Sequence, residues 1–487
     1  MIIDYFKALI LQNFAFQPTF EQEDVVDALA HFVMGEPSGA GINSQGVFVL
    51  RGYAGTGKTS LVGALVKTMG QLERQCVLLA PTGRAAKVFS HYAQHPAYTI
   101  HKWIYRQKSI DVDAPFSLGF NGMKHALFIV DEASMISEDG GIFSEHSLLD
   151  DLVEFVYSGE GCRLIMLGDT AQLPPVGECW SPALQPDVLT GMGLWVTCKT
   201  LTQVVRQADE SLILSNATNL RRAIATDTTD TWPDIKFGCD VENVPGNELV
   251  ERISHCYREY GMDNVIVVAR SNKRANIYNN GIRSQILDRE SELSAGDMVM
   301  IAKNNYYWLG RNGLGSTPEN GEAGTTDRHD GSFLANGDIA RVERVRNERQ
   351  FYGFRFADVE LCLPDYNDLT IDATVLLDTL HNEAPALTRE QNEQLFNAVM
   401  EDYMDIPYKR DRLKRVKEDP YFNALQIKYA YAVTCHKAQG GQWAQVFIDT
   451  GYVSEDMLGT DYYRWLYTAL TRATERVMFV NYKVTQQ

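Results

Sequence analysis

The octapeptide Gly52-Tyr53-Ala54-Gly55-Thr56-Gly57-Lys58-Thr59 constrains this chain more than any other segment. The apolar run Val47–Leu50 precedes it, and the helical pattern Ser60–Met69 follows. A strand, a glycine-rich turn and a helix in that order turn successive backbone N–H groups inward at a helix N-terminus, where they cradle phosphate oxygens. In the pattern G-x-x-x-x-G-K-[ST] the lysine neutralises the β- and γ-phosphates, and the next hydroxyl meets magnesium. Gly52, Gly55, Thr56, Gly57, Lys58, Thr59 and Ser60 are therefore expected around a nucleotide, with Thr59 on the metal.

Triphosphate hydrolysis needs a second carboxylate at the end of a neighbouring strand. Phe128-Ile129-Val130-Asp131-Glu132 supplies it, about 75 residues further on. Asp131 is expected in the Mg²⁺ shell, and Glu132 as the group that orients and deprotonates the attacking water. An apolar strand ending in Asp-Glu says little alone. Behind a phosphate loop at this spacing it turns nucleotide binding into hydrolysis of a nucleoside triphosphate.

Further apolar runs at Val77–Leu79 and Arg163–Leu167 alternate with helical patterns, which predicts a parallel sheet covered on both faces. A second alternating set, Val265–Val268, Val446–Asp449 and Val477–Val480, predicts a second such sheet. Between them, Met298–Ala302, Ile339–Val345 and Phe351–Leu363 read as strands of a small barrel, with a Gly- and Asn-rich loop from Asn304 to Gly337. Thr388 and Gln391 form a capping-box pattern for a helix reaching about Met404. The basic stretch Lys409–Lys417 reads either as a solvated helix face or as an arm that steers a strand.

With 487 residues, 45% hydrophobic and 22% charged, the chain has the composition of a multidomain globular protein. No run is apolar and long enough to cross a membrane. Met1–Phe16 carries Asp4 and Lys7 inside its apolar run and does not read as a secretory leader. The eight cysteines form no C-x-x-C pair, which fits a reducing cytoplasm. The net charge of −18 excludes coating of nucleic acid by bulk attraction, so any grip on nucleic acid belongs to a local groove.

Phosphate loops serve many chemistries, and eight further segments narrow the choice. Gln22, in Pro18-Thr19-Phe20-Glu21-Gln22, precedes the loop. Ala80-Pro81-Thr82-Gly83-Arg84-Ala85-Ala86-Lys87 and Thr99-Ile100-His101 follow it, and then Leu167-Gly168-Asp169-Thr170-Ala171-Gln172-Leu173-Pro174-Pro175-Val176. Leu201-Thr202-Gln203-Val204-Val205-Arg206, Ser271-Asn272-Lys273, Thr434-Cys435-His436-Lys437-Ala438-Gln439-Gly440 and Tyr467-Thr468-Ala469-Leu470-Thr471-Arg472 complete the series. In order and spacing these segments resemble the superfamily 1 helicases, and the Asn336-Gly337-Asp338 turn and inserted barrel resemble the RecD/Dda-like 5′→3′ branch.

The resemblance implies an α/β fold: two RecA-like P-loop motor domains with parallel sheets, plus a small SH3-like β-barrel and a helical insertion in the second. The implied bounds are 1–184 for the first motor, with a pin hairpin at about 104–124. Residues 185–290 and 427–487 form the second motor, and 291–426 the insertion. It implies that Gln22 reads adenine, Gln172 senses the γ-phosphate, and Arg206 and Arg472 act as arginine fingers. Pro81, Thr82, His101, Val176, Asn272, Thr434 and His436 are implied as DNA contacts, although His436 also reads as a buried histidine. Ile104–Lys124, with Phe116 and Phe120, reads as a strand-separating pin or as a surface loop.

ATP and Mg²⁺ are the implied cofactors, and single-stranded and forked DNA the implied partners, with replication or repair proteins beside them and one chain able to act alone. A translocase that does not unwind, and an RNA helicase, stand as alternatives. No cluster of nuclease carboxylates is evident.

Overall fold

The structure is a computed structural model that describes residues 2–35, 45–106, 117–138, 147–205, 211–305, 307–311, 334–366 and 368–483. Of the expected site residues, Phe116 and Arg206 lie outside the described residues, as does most of the Asn304–Gly337 loop.

Six parallel strands form the first sheet. From edge to edge they run Ala97–Thr99, Cys76–Ala80, Leu127–Val130, Arg163–Gly168, Gly46–Gly52 and Trp195–Leu201. The apolar runs are continuous because both faces are covered. Phe48 and Leu50 join one buried cluster with the helices Phe20–Met34 and Lys58–Gln71. Val47 and Val49 join another on the opposite face with Leu148–Ser158. Thr19 caps Phe20–Met34 through a reciprocal box with Gln22.

The second sheet has five parallel strands: Ala432–Thr434, Val265–Ala269, Trp443–Asp449, Ala473–Val480 and Val241–Val244. A closed five-stranded barrel is inserted in its chain path, built from Met298–Ile301, Ile339–Phe351, Phe354–Leu363, Leu369–Leu376 and Leu425–Tyr429. Sheet and barrel share one continuous core. The helix Arg389–Glu401 carries the expected box between Thr388 and Gln391, and with Lys409–Lys417 it packs on the barrel through Leu395, Val399 and Val416.

Two boundaries shift from the sequence reading. Trp195–Leu201 is the sixth strand of the first sheet, paired in parallel with Gly46–Gly52, so the first unit extends past residue 184. As a partly exposed edge strand it lacks the apolar run of its buried neighbours. Leu425–Tyr429 closes the barrel by pairing with Met298–Ile301, so the insertion extends past residue 426. Ile339–Phe351 is also longer than expected, since its outer half is an exposed polar ribbon.

The joint between second sheet and barrel centres on Asp297, which is fully buried. It accepts two hydrogen bonds of 3.0 Å from Arg283, one of 2.8 Å from the Tyr431 hydroxyl, and a further one from Arg289. Removing one partner of such a network strands charge in the core. Asp297→Ala is expected to destabilise this half by about 3–5 kcal/mol, read as a lower denaturation midpoint, whereas a loss under about 1 kcal/mol would show the network to be solvated in effect.

Candidate active site

Both sheets present loops at the carboxyl ends of their strands, where ligands of open α/β sheets bind. A cavity of about 590 Å³ opens there, lined from the first unit by Gln22, Gly55, Gly57, Lys58, Thr59, Ser60, Asp131, Glu132, Asp169 and Gln172, and from the second by Arg472. Gly52 and Thr56 are buried within the same phosphate loop. The expected nucleotide residues thus converge on one cleft between the two halves.

The loop adopts the backbone its glycines permit. Gly55 and Gly57 have φ of 78° and 85°, in the left-handed region that favours glycine. At Gly57 a Cβ would sit 2.6 Å from the Gln22 amide nitrogen. Gln22 is itself buried: its Nε2 donates to the Thr56 carbonyl at 3.0 Å, and its Oε1 accepts from the Thr19 amide at 3.0 Å. Here the side chain braces the loop from below, and one N–H and one lone pair of its amide are left over for a base. The Lys58 ammonium donates to the Gly52 carbonyl and, at 3.0 Å, to that of Tyr53.

Asp131 follows the buried strand Leu127–Val130, and Glu132 turns the chain with φ of 50°. A non-glycine residue in that region stores strain of the kind found at working sites. The Glu132 amide donates to Asp131 Oδ1 at 2.8 Å. Burial, and then the neighbouring Glu132 carboxylate, hold the Asp131 carboxyl well above the usual range, with Lys58 opposing. Asp169 is likewise raised by burial. Among the described residues, Gln172 Oε1 is buried with no hydrogen-bond partner. Carboxylates held at a cost beside a hydroxyl, with an orphan acceptor in the same cavity, suit a hard divalent cation and a bound water. The Thr59 and Asp131 oxygens are the donors that fit Mg²⁺.

Arg472 is 4% exposed and approaches Glu132 to 4.0 Å across the seam. Its guanidinium is oriented by the Thr468 carbonyl at 3.0 Å and the Thr471 hydroxyl at 3.1 Å.

The residues expected at DNA lie elsewhere. Thr82 caps the helix Gly83–Ala93, and a Cβ on Gly440 of the second half would come within 3.2 Å of its hydroxyl. Pro81 precedes it. His101 and His436 are half-buried, and burial pushes both imidazoles below their usual value. Asn272 begins the helix Asn272–Gly281, and Thr434 precedes the short helix Cys435–Ala438. Val176 is 78% exposed on its loop. Phe120 is 87% exposed beyond the two-residue strands Tyr105–Arg106 and Ser117–Leu118, which pair in antiparallel fashion as a hairpin requires.

Sequence reasoning missed several lining groups. Phe14 and Phe16 border the cavity, and no motif marked them. Asp169 had a signal, an acid directly after a buried strand, but was given no role. Outside the cavity, the buried Lys428 and the half-buried Lys437 of the second half were also missed: burial pushes Lys428 down to about 8, with the like charge of Lys437 adding to it, and lowers Lys437 as well.

A phosphate cradle between two parallel RecA-like sheets, with acids on one and an arginine on the other, defines a P-loop nucleotide-binding protein. Residues 40–232 match the family model for an AAA domain, and residues 429–480 that for a UvrD-like helicase C-terminal domain. In these segments and along its length the chain is similar to RecD-like superfamily 1 helicases. It is 22% identical to an uncharacterized protein of Acanthamoeba polyphaga mimivirus, covering 90% of this chain and 96% of the viral protein. It is 23% identical to the ATP-dependent RecD2 DNA helicase of Deinococcus radiodurans over 94% of this chain, but spans only 48% of that relative. Among solved structures, the Bacteroides Pif1 helicase with ADP-AlF3 and ssDNA overlaps 96% of this chain and 94% of its own, at 16% identity and a TM-score of 0.48.

The raised Asp131 carboxyl has a testable sign. Its folded state holds the proton to higher pH than the unfolded chain does, so its contribution to stability falls as pH rises from the ordinary carboxylate value through the raised one. Asp131→Asn is expected to raise the melting temperature of the ligand-free protein at pH 8, more than at pH 4, while abolishing metal-dependent nucleotide turnover. A variant less stable than wild type at pH 8 would contradict the assignment.

Proposed function

We propose that the chain is an ATP-dependent DNA helicase that moves 5′→3′ along single-stranded DNA and separates duplex strands. The observation that carries this reading is the shared cleft, where Lys58, Asp131 and Glu132 of one sheet face Arg472 of the other. Lys58 exchanges the loop carbonyls for β- and γ-phosphate oxygens. Asp131 and Thr59 hold Mg²⁺, which when bound neutralises charge on the phosphates. Glu132 accepts the proton of the attacking water, and the orphan Gln172 Oε1 orients that water. Arg472 stabilises charge developing on the transferred phosphoryl group, a role assigned also to Arg206.

Hydrolysis removes the ligand that the two halves share, and the cleft relaxes. If the halves grip a strand unequally in the two states, each cycle advances it. Pro81, Thr82, His101, Val176, Asn272, Thr434 and His436 are the proposed strand contacts. The half-buried Lys437 favours a polyanion nearby, because phosphate restores the charged form that burial disfavours. Phe120 is the proposed wedge, paired in that role with Phe116. The domain limits proposed are roughly residues 1–201 for the first motor and the remainder for the second, with the barrel and arm inserted.

Lys58→Ala is expected to lower ATP turnover at least about 100-fold, and single-stranded DNA to stimulate the wild type. Partial duplexes with a 5′ or a 3′ tail test polarity: unwinding only from the 5′ tail supports the proposal, and a 3′ preference reverses it. Translocation with no strand separation would favour a motor that does not unwind, and stronger stimulation by RNA would favour an RNA helicase. Phe120→Ala is expected to reduce unwinding roughly tenfold through lost base stacking, with DNA-stimulated ATP turnover within twofold of wild type. Equal losses in both would remove the wedge.

A further inference from the structure

One buried hydroxyl joins three working parts of the cleft. Tyr467 is fully buried in the helix Thr460–Leu470 of the second half. Its hydroxyl donates to Asp169 Oδ2 at 2.5 Å and accepts from the Ala54 amide at 3.0 Å. Ala54 belongs to the phosphate loop. Asp169 opens the loop that carries Gln172, whose amide donates to the Asp169 carbonyl at 3.3 Å. Tyr467 also leads directly into the segment that aims Arg472: Thr468 accepts from the Leu173 amide at 2.9 Å, and its carbonyl accepts from Arg472 Nε at 3.0 Å. Other bonds cross the seam without touching the phosphate loop, such as Arg464 Nη1 to the Cys179 carbonyl at 2.6 Å.

We propose that Tyr467 is a positioning residue that sets Arg472 and Gln172 against the phosphate loop and transmits the state of the nucleotide between the halves. The proposal rests on the reading of the cleft as an ATP-hydrolysing site. A phenolic ring is stiff, with its polar end fixed far from the backbone, so a shift of the phosphate loop is passed to the helix rather than absorbed. Asp169 is buried with the hydroxyl and Ala54 is half-buried, so breaking the bridge leaves a buried acceptor unsatisfied and the bridge favours one arrangement of the three parts. Glue alone would be served by any seam contact. What distinguishes this one is that its two partners are the phosphate loop and the sensor loop.

Tyr467→Phe removes the bridge and keeps the ring. Ala54→Pro removes the same bond from the other side. The Thr56 amide donates to the Tyr53 carbonyl at 3.3 Å and Gly55 has φ of 78°, which makes Ala54 the second residue of a type II turn, a position where proline fits. Each variant is expected to lower DNA-stimulated kcat at least tenfold, with ADP affinity within twofold of wild type. The ratio of single-stranded DNA affinities with and without ADP–aluminium fluoride is expected to fall towards one, and the double variant to be no worse than either single. Arg464→Met, which breaks a seam bond elsewhere, is expected to leave kcat and that ratio within twofold. Folded Tyr467→Phe or Ala54→Pro protein with wild-type kcat and ratio overturns the proposal, as does Arg464→Met causing the same loss. If Tyr467→Phe fails to fold, Ala54→Pro carries the test. Wild-type protein without ATP turnover would instead remove the underlying reading.

Discussion

Crowding of like charge at one sheet edge governs the rest of this structure. Asp131, Glu132 and Asp169 sit at or beside the carboxyl ends of adjacent first-sheet strands, in surroundings that disfavour their ionised forms. Lys58 is the cation that the first half itself contributes, and Arg472 arrives from the second. Without a ligand, Lys58 is occupied by loop carbonyls and Asp131 tends to hold a proton. On the proposed reading, a nucleotide with its metal supplies both missing charges at once, so the electrostatically poor empty state favours its binding and couples that binding to closure of the two halves.

Closure needs surfaces that meet closely, and the seam is built from small residues and donated side chains. On one side the helix Gly83–Ala93 packs against the Gly440–Gly441 turn. A Cβ on Gly440 would lie 2.8 Å from that of Ala85, and the Arg84 guanidinium lies 3.9 Å over the Trp443 ring. On the other, Gln439 Nε2 donates to the Leu173 carbonyl at 2.8 Å. The helix capped by Thr82 is thus held by the second half a few residues from the proposed strand contacts. On the proposed reading, a change of nucleotide state and a change of strand grip are two ends of one packed interface, and that packing is what turns a chemical step into a mechanical one.

Much of this was legible in the chain because it is local. The phosphate loop needs glycines at fixed offsets between a strand and a helix, and the capping box at Thr388 closes over three residues. The buried strands announce themselves because both faces are covered. What escaped reading is what depends on pairing at a distance. Trp195–Leu201 is an edge strand whose partly polar sequence gives no apolar run, and its place follows only from its register on Gly46–Gly52. Leu425–Tyr429 closes the barrel after a helical excursion of some fifty residues from Leu369–Leu376. The Tyr467–Asp169 bond joins residues 298 positions apart, and neither side chain differs in type from many others nearby.

The acidic composition also takes on a different meaning once the fold is known. A net charge of −18 repels a polyanion at long range, so diffusion alone would not draw a DNA strand to most of this surface. Repulsion outside and uncompensated cations inside have opposite effects on the two stages of binding. The acidic exterior suppresses non-specific adsorption, which scales with the phosphates neutralised and collapses with salt. On the proposed reading, a half-buried lysine such as Lys437, whose charged form desolvation disfavours, gains most from a phosphate that fits beside it. On the proposed reading, a strand in the channel is held by neutral donors, stacking and a few desolvated charges rather than by a counterion cloud, a grip that the seam can tighten and release, whereas a surface held by bulk attraction would resist release at every step.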